Sequence, residues 1–326
     1  MADAPKISVV VCTYNRAALL RDVLETLCEQ TLDRALYEVL VVDNNSTDNT
    51  PAVVESFSGL HPNVRYLRET RQGLSLARNR GYQEARGEYV AYIDDDCRVP
   101  KEWLAVAEHV ICHIQPAVFC GPVFPFYQSR KPRWYKDRYA THLPCKEARI
   151  LDQETCGDIF GNNCVFRRRL LQITGGFDPR LGMSGNKINY CEETALVKHI
   201  AHTMPDEVMY YDPRLHIFHL VRPEKMTLCW LLRASFPMGR SSCYWQPQTR
   251  PSSTYSGFGY YRETMSTVIA LGKTIVRSVL FRERDRYPYI QNYIYERALM
   301  LVSELGRHYE FHQQVKRAHR LGQRES

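Results

Sequence analysis

Hydrophobic residues in the first hundred positions alternate between continuous runs and helical repeats. The continuous runs are residues 7–12 (ISVVVC), 37–42 (YEVLVV) and 89–93 (YVAYI), and such runs are typical of strands that are buried on both faces. Between the first two runs, residues 17–28 place leucine and valine at the spacing of one helix face. We predict that Asn15 is the N-cap of that helix, because its side chain can accept a hydrogen bond from the first turn.

Shorter segments continue the same alternation. Residues 64–67 (VRYL) predict a further strand, and helices are expected at residues 52–57 and 74–85. Strands that alternate with helices in this way indicate an α/β domain with a mostly parallel sheet. In such sheets, ligands bind outside the carboxyl ends of the strands.

The rest of the chain is less regular. We expect strands and turns at residues 116–127, a loop rich in basic and aromatic side chains at 127–148, a helix from about Arg168 and a helix at 189–202. Beyond about residue 210 the pattern becomes increasingly helical.

Polar side chains collect where three of the predicted strands end. The first strand is followed by residues 13–16 (TYNR), the second by residues 43–46 (DNNS) and the fourth by residues 94–96 (DDD). Parallel strands present their carboxyl ends on one rim, so we expect these clusters to be neighbours in space although they are distant in sequence.

Three consecutive aspartates, Asp94 to Asp96, follow the fourth strand. Two carboxylates about 4 Å apart repel by about 1 kcal/mol in water and about 4 kcal/mol near a protein surface. A divalent cation held by one or two of the carboxylates would relieve this repulsion. The alternative is an acidic turn in which Asp96 caps the following helix, and the residues alone leave both interpretations open.

Composition narrows the class of protein rather than its function. The 326 residues are 44% hydrophobic and 24% charged, which is ordinary for a globular protein. The 11 cysteines form no CxxC pair, so structural zinc and a disulfide scaffold are both poorly supported, and we expect a reducing, cytoplasmic setting. We find neither a signal-peptide pattern nor an apolar run long enough to predict a spanning helix.

Positive charge is concentrated toward the C-terminus. The formal net charge is +7, and from Met265 onward 11 lysine and arginine residues stand against 6 acidic residues. Residues 267–281 form an apolar stripe opposite Lys273 and Arg277. This pattern favours contact with an anionic surface, either nucleic acid or the periphery of a membrane at its inner face, or else a solvated helix that packs on the rest of the chain.

Five segments occur in an order and spacing that resemble the family 2 glycosyltransferases. They are VVVCTYNR, YEVLVVDNNSTDNT, RQGLSLARNRGYQEARGEYVAYIDDDCRVP, FGNNCVFRRRLLQITGGFDPRLG and CEETALVKHI. The resemblance covers about residues 7–225. It implies a GT-A fold, a nucleotide-sugar donor, Mg²⁺ or Mn²⁺ at the aspartate cluster, and inversion at the anomeric carbon.

The resemblance also implies which residues form the site. The implied nucleotide-sugar-binding residues are Thr13, Asn15, Arg16, Asp43, Asn45, Gly73, Arg78, Asp94, Asp95 and Asn162. The implied metal ligands are Asp96, Asp94 and His219. Each of three residues has a plainer alternative: Arg78 as a structural ion pair, Asp43 as a helix cap, and His219 as a packed side chain.

The resemblance assigns the catalytic base to the acidic pair Glu192 and Glu193. The family usually has Glu-Asp at this point, and the second acid takes the proton of the acceptor, which maps onto Glu193 with Glu192 as its neighbour. The extra methylene of Glu193 can be accommodated by a change of rotamer. The alternative is that the two acids only complement the dipole of the helix that they begin.

We therefore predict a GT-A catalytic domain at residues 1–225, with a nucleotide-binding half (1–115) and an acceptor half (116–225), and a helical C-terminal region at 226–326. The sheet should be mixed, mostly parallel and flanked by helices. The expected activity is inverting transfer from a UDP-linked sugar to a carbohydrate or lipid-linked acceptor in surface polysaccharide or glycolipid synthesis. A catalytically inactive sugar-nucleotide binder or scaffold is the alternative, and nucleic acid is not an expected partner.

Overall fold

The structure is a computed structural model that describes residues 4–185, 187–244 and 256–322. Its strands are β1 (Ile7–Thr13), β2 (Tyr37–Asp43), β3 (Val64–Arg68), β4 (Tyr89–Asp94), β5 (Cys97–Arg98), β6 (Val118–Cys120), β7 (Val123–Phe126), β8 (Arg149–Leu151), β9 (Asn163–Arg167), β10 (Met209–Tyr211) and β11 (Ile217–Leu220). Its α-helices are α1 (Ala17–Cys28), α2 (Thr50–Ser58), α3 (Leu74–Glu84), α4 (Trp103–His113), α5 (Arg168–Thr174), α6 (Glu192–Thr203), α7 (Leu228–Ser242), α8 (Gly257–Leu280), α9 (Ile290–Arg297) and α10 (Leu299–Gly322).

The strands form a large and a small sheet. The large sheet has the order β3-β2-β1-β4-β9-β6-β10-β8, and the small sheet has the order β5-β11-β7. Strands β1 to β4 pair in parallel, as the alternation of strands and helices predicts. Strand β9 runs antiparallel to both of its neighbours, so the sheet as a whole is mixed.

The central strand β1 is buried on both faces, which explains its continuous apolar sequence. Val9 and Val11 join a hydrophobic cluster that includes Leu20 of α1, whereas Val10 points to the opposite face and joins a second cluster. Successive side chains of a strand alternate between faces, so each face of β1 contributes to a separate core. A Cβ at Gly81 would overlap Val10, so this glycine lets α3 lie close against the sheet.

The prediction that Asn15 caps α1 is wrong. Helix α1 begins at Ala17 without a side-chain cap from the preceding residue, and the N–H of Ala17 donates to Asp48 of the loop after β2 (3.0 Å). The Asn15 side chain instead accepts the N–H of Thr47 (2.7 Å), and Asp48 also accepts the N–H of Thr50 in α2 (3.1 Å). The cap therefore comes from a neighbouring loop, which local sequence cannot reveal.

The loop predicted at residues 127–148 is mostly irregular but contains a 3-10 helix at Asp137–Tyr139. The chain divides into two compact units, of which the first contains described residues of segments 4–126, 137–187 and 192–221. The second contains segments 127–136, 188–191 and the described residues from 222 onward. The predicted helical region at 226–326 includes residues 245–255 and 323–326, which lie outside the described residues.

Helices α7 and α10 of the second unit are held together by close backbone contact. A Cβ at Gly239 of α7 would overlap the carbonyl group of Ser303 in α10, and a Cβ at Gly306 would overlap the carbonyl group of Phe236. Beside this contact, Arg240 pairs with the buried Glu310 (3.1 Å). No helix among the described residues is long and apolar enough to cross a membrane.

The contact between α7 and α10 predicts opposite effects for two Gly→Ala substitutions. Gly239→Ala should lower the free energy of unfolding by about 1–3 kcal/mol, because the new methyl group forces the two helices apart. Gly272→Ala, in the interior of α8 with nothing within 4 Å of the added Cβ, should raise it by about 0.5–1 kcal/mol through helix propensity. Urea unfolding monitored by circular dichroism compares the two, and equal effects would contradict the close packing.

Candidate functional site

The three polar clusters predicted from the sequence do meet, at the carboxyl ends of β1, β2 and β4. Thr13 is aligned with Asp43 of β2, and Cys12 is aligned with Asp94 of β4. Directly after the aspartates, the short strand β5 pairs with β11, which carries His219. One parallel half-sheet and one small sheet thus bring residues from four distant parts of the sequence to a single rim.

Asp95 is a buried carboxylate held by β1 and the loop after it. Its two oxygens accept hydrogen bonds from the hydroxyl of Thr13 (2.8 Å) and the guanidinium of Arg16 (2.8 Å). Burial raises the pKa of Asp95 to about 6, although Arg16 favours the ionised form. Asp95 therefore joins the first and third clusters, and the predicted contact of Asp95 with the donor stays a prediction.

Asp94, Asp96 and His219 form a cluster of potential metal ligands, and each can place one ligand atom within 4.8 Å of those of the other two. His219 Nε2 lies 3.1 Å from Asp96, and Arg16 lies 3.5 Å from the same carboxylate. Asp94 remains one-third exposed. These three residues are the ones that the family resemblance implies as metal ligands.

The loop after β2 is organised by hydrogen bonds of its own side chains. Asp43 accepts the backbone N–H of Ser46 (2.7 Å) and the hydroxyl of Tyr66 in β3 (2.7 Å). Asn45, with φ of 67°, accepts a hydrogen bond from Arg68 (3.1 Å). Asp43 does not cap α2, so its predicted alternative role as a helix cap is wrong, and its binding role stays a prediction.

Asn44 connects the loop after β2 to the loop before α3; it belongs to the second polar cluster but is not among the site residues that the family resemblance implies. Its side chain donates to the carbonyl group of Arg71 (2.7 Å) and accepts the N–H of Gly73 (2.8 Å). Gly73 has φ of 153°, a conformation that few residues other than glycine adopt. The two hydrogen bonds of the Asn44 side chain fix the backbone of Gly73, which directly precedes α3.

Arg78 of α3 is almost completely buried among acidic and carbonyl groups. Its guanidinium donates to Glu192 (2.7 Å), to Asp94 (3.3 Å) and to the carbonyl oxygen of Gly161 (3.1 Å). A Cβ at Gly161 would overlap this guanidinium, so the glycine leaves room for it. Arg78 thus joins the aspartate cluster to the start of α6.

The acidic pair lies at the first turn of α6, but its two members differ in environment. Burial and the adjacent Glu193 raise the pKa of Glu192 to about 8, although the Arg78 guanidinium opposes this rise. One oxygen of Glu193, Oε2, is buried without a hydrogen-bond partner in the described part of the chain. The same is true of Asn162 Oδ1. Two residues implied as ligand contacts therefore carry unsatisfied polar atoms, which is uncommon in native proteins.

Asn79, which follows Arg78, organises the turn after α5. Its side chain donates to the carbonyl group of Phe177 (2.8 Å) and accepts the N–H of the same residue (2.8 Å). A Cβ at Gly176, where φ is 77°, would overlap both Asn79 and Tyr82. Asp178 accepts the N–H of Arg180 (2.9 Å), as expected of a turn former. Consecutive residues of α3 thus hold the acidic cluster on one side and the turn on the other.

A sequence model of glycosyl transferase family 2 matches residues 8–174, which is more than half of the chain. The chain belongs to the family 2 glycosyltransferases. Two curated relatives span similar parts of the chain. This glycosyltransferase is 27% identical over 240 residues to glucosyl-dolichyl phosphate glucuronosyltransferase of Haloferax volcanii, covering 72% of this chain and 76% of that protein. It is 27% identical over 244 residues to succinoglycan biosynthesis protein ExoM of Rhizobium meliloti, covering 72% and 73%.

A solved structure supports the same fold. The mannosyltransferase PcManGT from Pyrobaculum calidifontis, in complex with GDP-Man and Mn²⁺, superimposes with a TM-score of 0.61 at 20% identity, and the match covers 92% of this chain and 86% of that one. Together with the mixed sheet, the flanking helices and the helical C-terminal region, this likeness confirms the predicted GT-A fold.

Within this glycosyltransferase, the three aspartates are not left to repel one another. Asp94 contacts Arg78, and both Asp95 and Asp96 contact Arg16. Cationic side chains of the protein therefore offset part of the repulsion between the three carboxylates. A bound cation is thus not required to account for all of the compensation.

Removal of Arg78 should destabilise the protein in a pH-dependent manner. Arg78→Met leaves Glu192 buried without its cation, and we expect a loss of about 3–5 kcal/mol in the free energy of unfolding above pH 8. The loss should be smaller at pH 5, because the folded-state pKa of Glu192 lies above its unfolded value of 4.5. Between these two values the unfolded state binds fewer protons than the folded state, and the stability of both proteins falls as the pH rises. Removal of Arg78 raises the pKa of Glu192 further, so the variant continues to lose stability above pH 8, where the unaltered protein does not.

Urea unfolding between pH 5 and pH 9 measures this effect, with two comparison variants. Arg78→Met/Glu192→Gln should recover part of the loss and most of its pH dependence, because residue 192 then carries no charge. Lys101→Met removes an exposed ion pair with Glu29 (3.2 Å) and should cost less. A loss for Arg78→Met that is independent of pH would contradict the assignment to Glu192.

Proposed function

We propose that this glycosyltransferase transfers a sugar, with inversion, from a nucleotide-sugar donor to a hydroxyl group of a carbohydrate or lipid-linked acceptor. The observation that carries the proposal is the cluster of Asp94, Asp96 and His219 on the rim of a GT-A sheet. It lies at the carboxyl ends of parallel strands, where ligands of α/β sheets bind. The Arg78 ion pairs connect this cluster to the acidic pair of α6.

The proposed cation is Mg²⁺ or Mn²⁺, and the donor set fits it. Carboxylate oxygens are preferred ligands of both ions, and Asp94 and Asp96 supply them beside the imidazole of His219. When bound, the cation would act as a Lewis acid that neutralises charge on the departing diphosphate. The Mn²⁺ in the PcManGT complex supports this choice by analogy of fold.

The proposed nucleotide groove is formed by the loops after β1 and β2. Thr13, Asn15, Asp43 and Asn45 would surround the base and ribose, and the backbone at Gly73 would lie against the nucleotide. We propose UDP as the carrier, as the sequence resemblance implies. In this scheme Asn44 acts only indirectly, because its hydrogen bond holds Gly73 in place.

The proposed base is Glu193. Its carboxylate would take the proton of the acceptor hydroxyl while that oxygen forms a bond with the anomeric carbon. The bond between this carbon and the diphosphate oxygen then breaks, and the electron pair leaves with the nucleoside diphosphate. The unpartnered Oε2 of Glu193 and Oδ1 of Asn162 support contacts with the acceptor and the donor sugar. Glu192, paired with Arg78, would be a positioning residue rather than the base.

The names of the two curated relatives support a chemical class for the acceptor. One acts, by its name, on glucosyl-dolichyl phosphate, a lipid-linked glycan, and the other functions in succinoglycan biosynthesis. Both support an acceptor that is a growing glycan, either free or linked to a lipid. We propose that this chain serves surface polysaccharide or glycolipid synthesis.

The proposed donor site predicts metal-dependent binding of one nucleotide. In titration calorimetry, one of UDP, GDP or the corresponding nucleotide sugars should bind in the presence of Mn²⁺, and we expect UDP. Asp96→Asn should weaken this binding at least roughly tenfold, because a ligand is lost at unchanged shape. Asp22→Asn, which alters a partly exposed aspartate of α1 paired with Arg98, is the matched control. Nucleotide binding that is unaffected both by Mn²⁺ and by Asp96→Asn would contradict the proposed donor site.

The proposed base predicts a loss of turnover without a loss of donor binding. Glu193→Gln should reduce release of nucleoside diphosphate from the bound nucleotide sugar by roughly 10²–10⁴-fold, the usual contribution of a general base. Its affinity for the nucleotide should remain within about threefold of that of the unaltered protein, which calorimetry checks. Glu55→Gln on the exposed side of α2 is the control. Normal turnover by Glu193→Gln would show that another residue takes the proton.

A further inference from the structure

Helix α8 exposes most of its large apolar side chains. Six of them project outward, with exposures between 50% and 66% of the maximum: Tyr261, Met265, Ile269, Val276, Val279 and Leu280. Their spacing of three, four or seven residues places them along one side of the helix. From Tyr261 to Leu280, at about 1.5 Å per residue, this stripe extends for roughly 29 Å along the helix.

The two buried residues of α8 are small hydroxyl residues instead. Thr267 and Ser278 are buried, and each donates to a carbonyl group of its own helix, Thr267 to Glu263 (3.1 Å) and Ser278 to Ile275 (2.6 Å). A helix of a water-soluble bundle normally turns its apolar stripe toward the core and its polar face toward solvent. In α8, by contrast, hydroxyl residues are buried while most of the large apolar side chains are exposed.

The charges around the stripe have one dominant sign. Glu263 is the only acidic residue of α8, and its side chain is only 20% exposed. The exposed cations Lys273 and Arg277 flank the stripe. Counted over residues 273–286, five lysine and arginine residues stand against two acidic residues, so the end of the helix and the loop after it are positively charged.

We propose that the outer face of α8 docks on an anionic lipid surface, with its apolar stripe in the boundary between headgroups and acyl chains. An exposed apolar face flanked by lysine and arginine is the pattern of a helix that lies in the plane of a membrane interface. The cations would contact the negatively charged headgroups. This inference does not depend on the proposed transfer reaction.

The charges argue against a second copy of the chain as the occupant. A twofold interface would place the same face of α8 against itself. That face offers exposed cations but hardly any exposed acid with which they could pair. A lipid surface supplies the missing negative charge together with an apolar layer, so it matches both properties of the helix.

Flotation of the full chain with lipid vesicles tests the proposal. We expect binding to vesicles of phosphatidylcholine with about 30% phosphatidylglycerol, weaker binding to phosphatidylcholine alone, and weakening by salt on the anionic vesicles. Ile269→Asp/Val276→Asp should lower the partition coefficient at least roughly tenfold on both vesicles. Lys273→Gln/Arg277→Gln should lower it by roughly fivefold per charge on the anionic vesicles only.

The matched control places the same change on exposed apolar residues elsewhere. Leu60→Asp/Ile150→Asp alters side chains that are 77% and 69% exposed in the first unit, and it should leave vesicle binding unchanged. Circular dichroism confirms that each variant is folded, and nucleotide binding by calorimetry reports separately on the proposed donor site. If the protein binds nucleotide but not vesicles, the lipid proposal is wrong and the proposed donor site is unaffected.

Sedimentation velocity without lipid distinguishes the competing occupant. A dimer that dissociates on dilution, and that Ile269→Asp/Val276→Asp abolishes, would assign the stripe to a second copy if no vesicle binding is seen. Equal affinity for neutral and anionic vesicles would overturn the role of the cations. Loss of binding in the Leu60→Asp/Ile150→Asp control would overturn the assignment to α8.

Discussion

The buried guanidinium of Arg78 is the interaction on which the candidate site depends. It is enclosed by Glu192, Asp94 and the carbonyl group of Gly161, so its charge is balanced by groups from three separate elements. An unpaired charge at this depth would be costly. The start of α6, the end of β4 and the turn before β9 must therefore all be in place for any one of them to be stable. The geometry of the acidic pair is coupled in this way to that of the aspartates.

The same principle explains how consecutive aspartates are tolerated. Each carboxylate has cationic or hydrogen-bonding partners of its own, since Arg78 contacts Asp94, Thr13 and Arg16 contact Asp95, and His219 contacts Asp96. Burial nevertheless raises the pKa of Asp95 to about 6. The protein offsets much of the repulsion and leaves Asp94 partly open to solvent, an arrangement suited to a site that accepts a cation together with an anionic ligand.

The C-terminal helices are stabilised by other interactions than the site at the edge of the sheet. Where α7 meets α10, glycine allows the backbones to touch, and Arg240 and Glu310 pair beside them. Helix α8 buries the hydroxyl side chains of Thr267 and Ser278 and exposes most of its large apolar side chains. Its amphipathic period alone would suggest an ordinary core-facing helix, because a period specifies that two faces differ but not which one is buried.

The sequence by itself determined the order of strands and helices over the first hundred residues, the mixed GT-A fold through its family motifs, and the identity of the residues at the strand ends. These follow from local periodicity and from the rule that parallel strands share a carboxyl edge. The prediction of increasing helix beyond about residue 210 is wrong as far as β11 (Ile217–Leu220), which is a strand of the small sheet. The tertiary structure alone decided which side chains are partners. It replaced Asn15 with Asp48 as the cap of α1, and it assigned Asn44 and Asn79 to holding neighbouring loops. It also determined which face of α8 is exposed. Such contacts join residues distant in the chain, and no local pattern encodes the partner of a hydrogen bond.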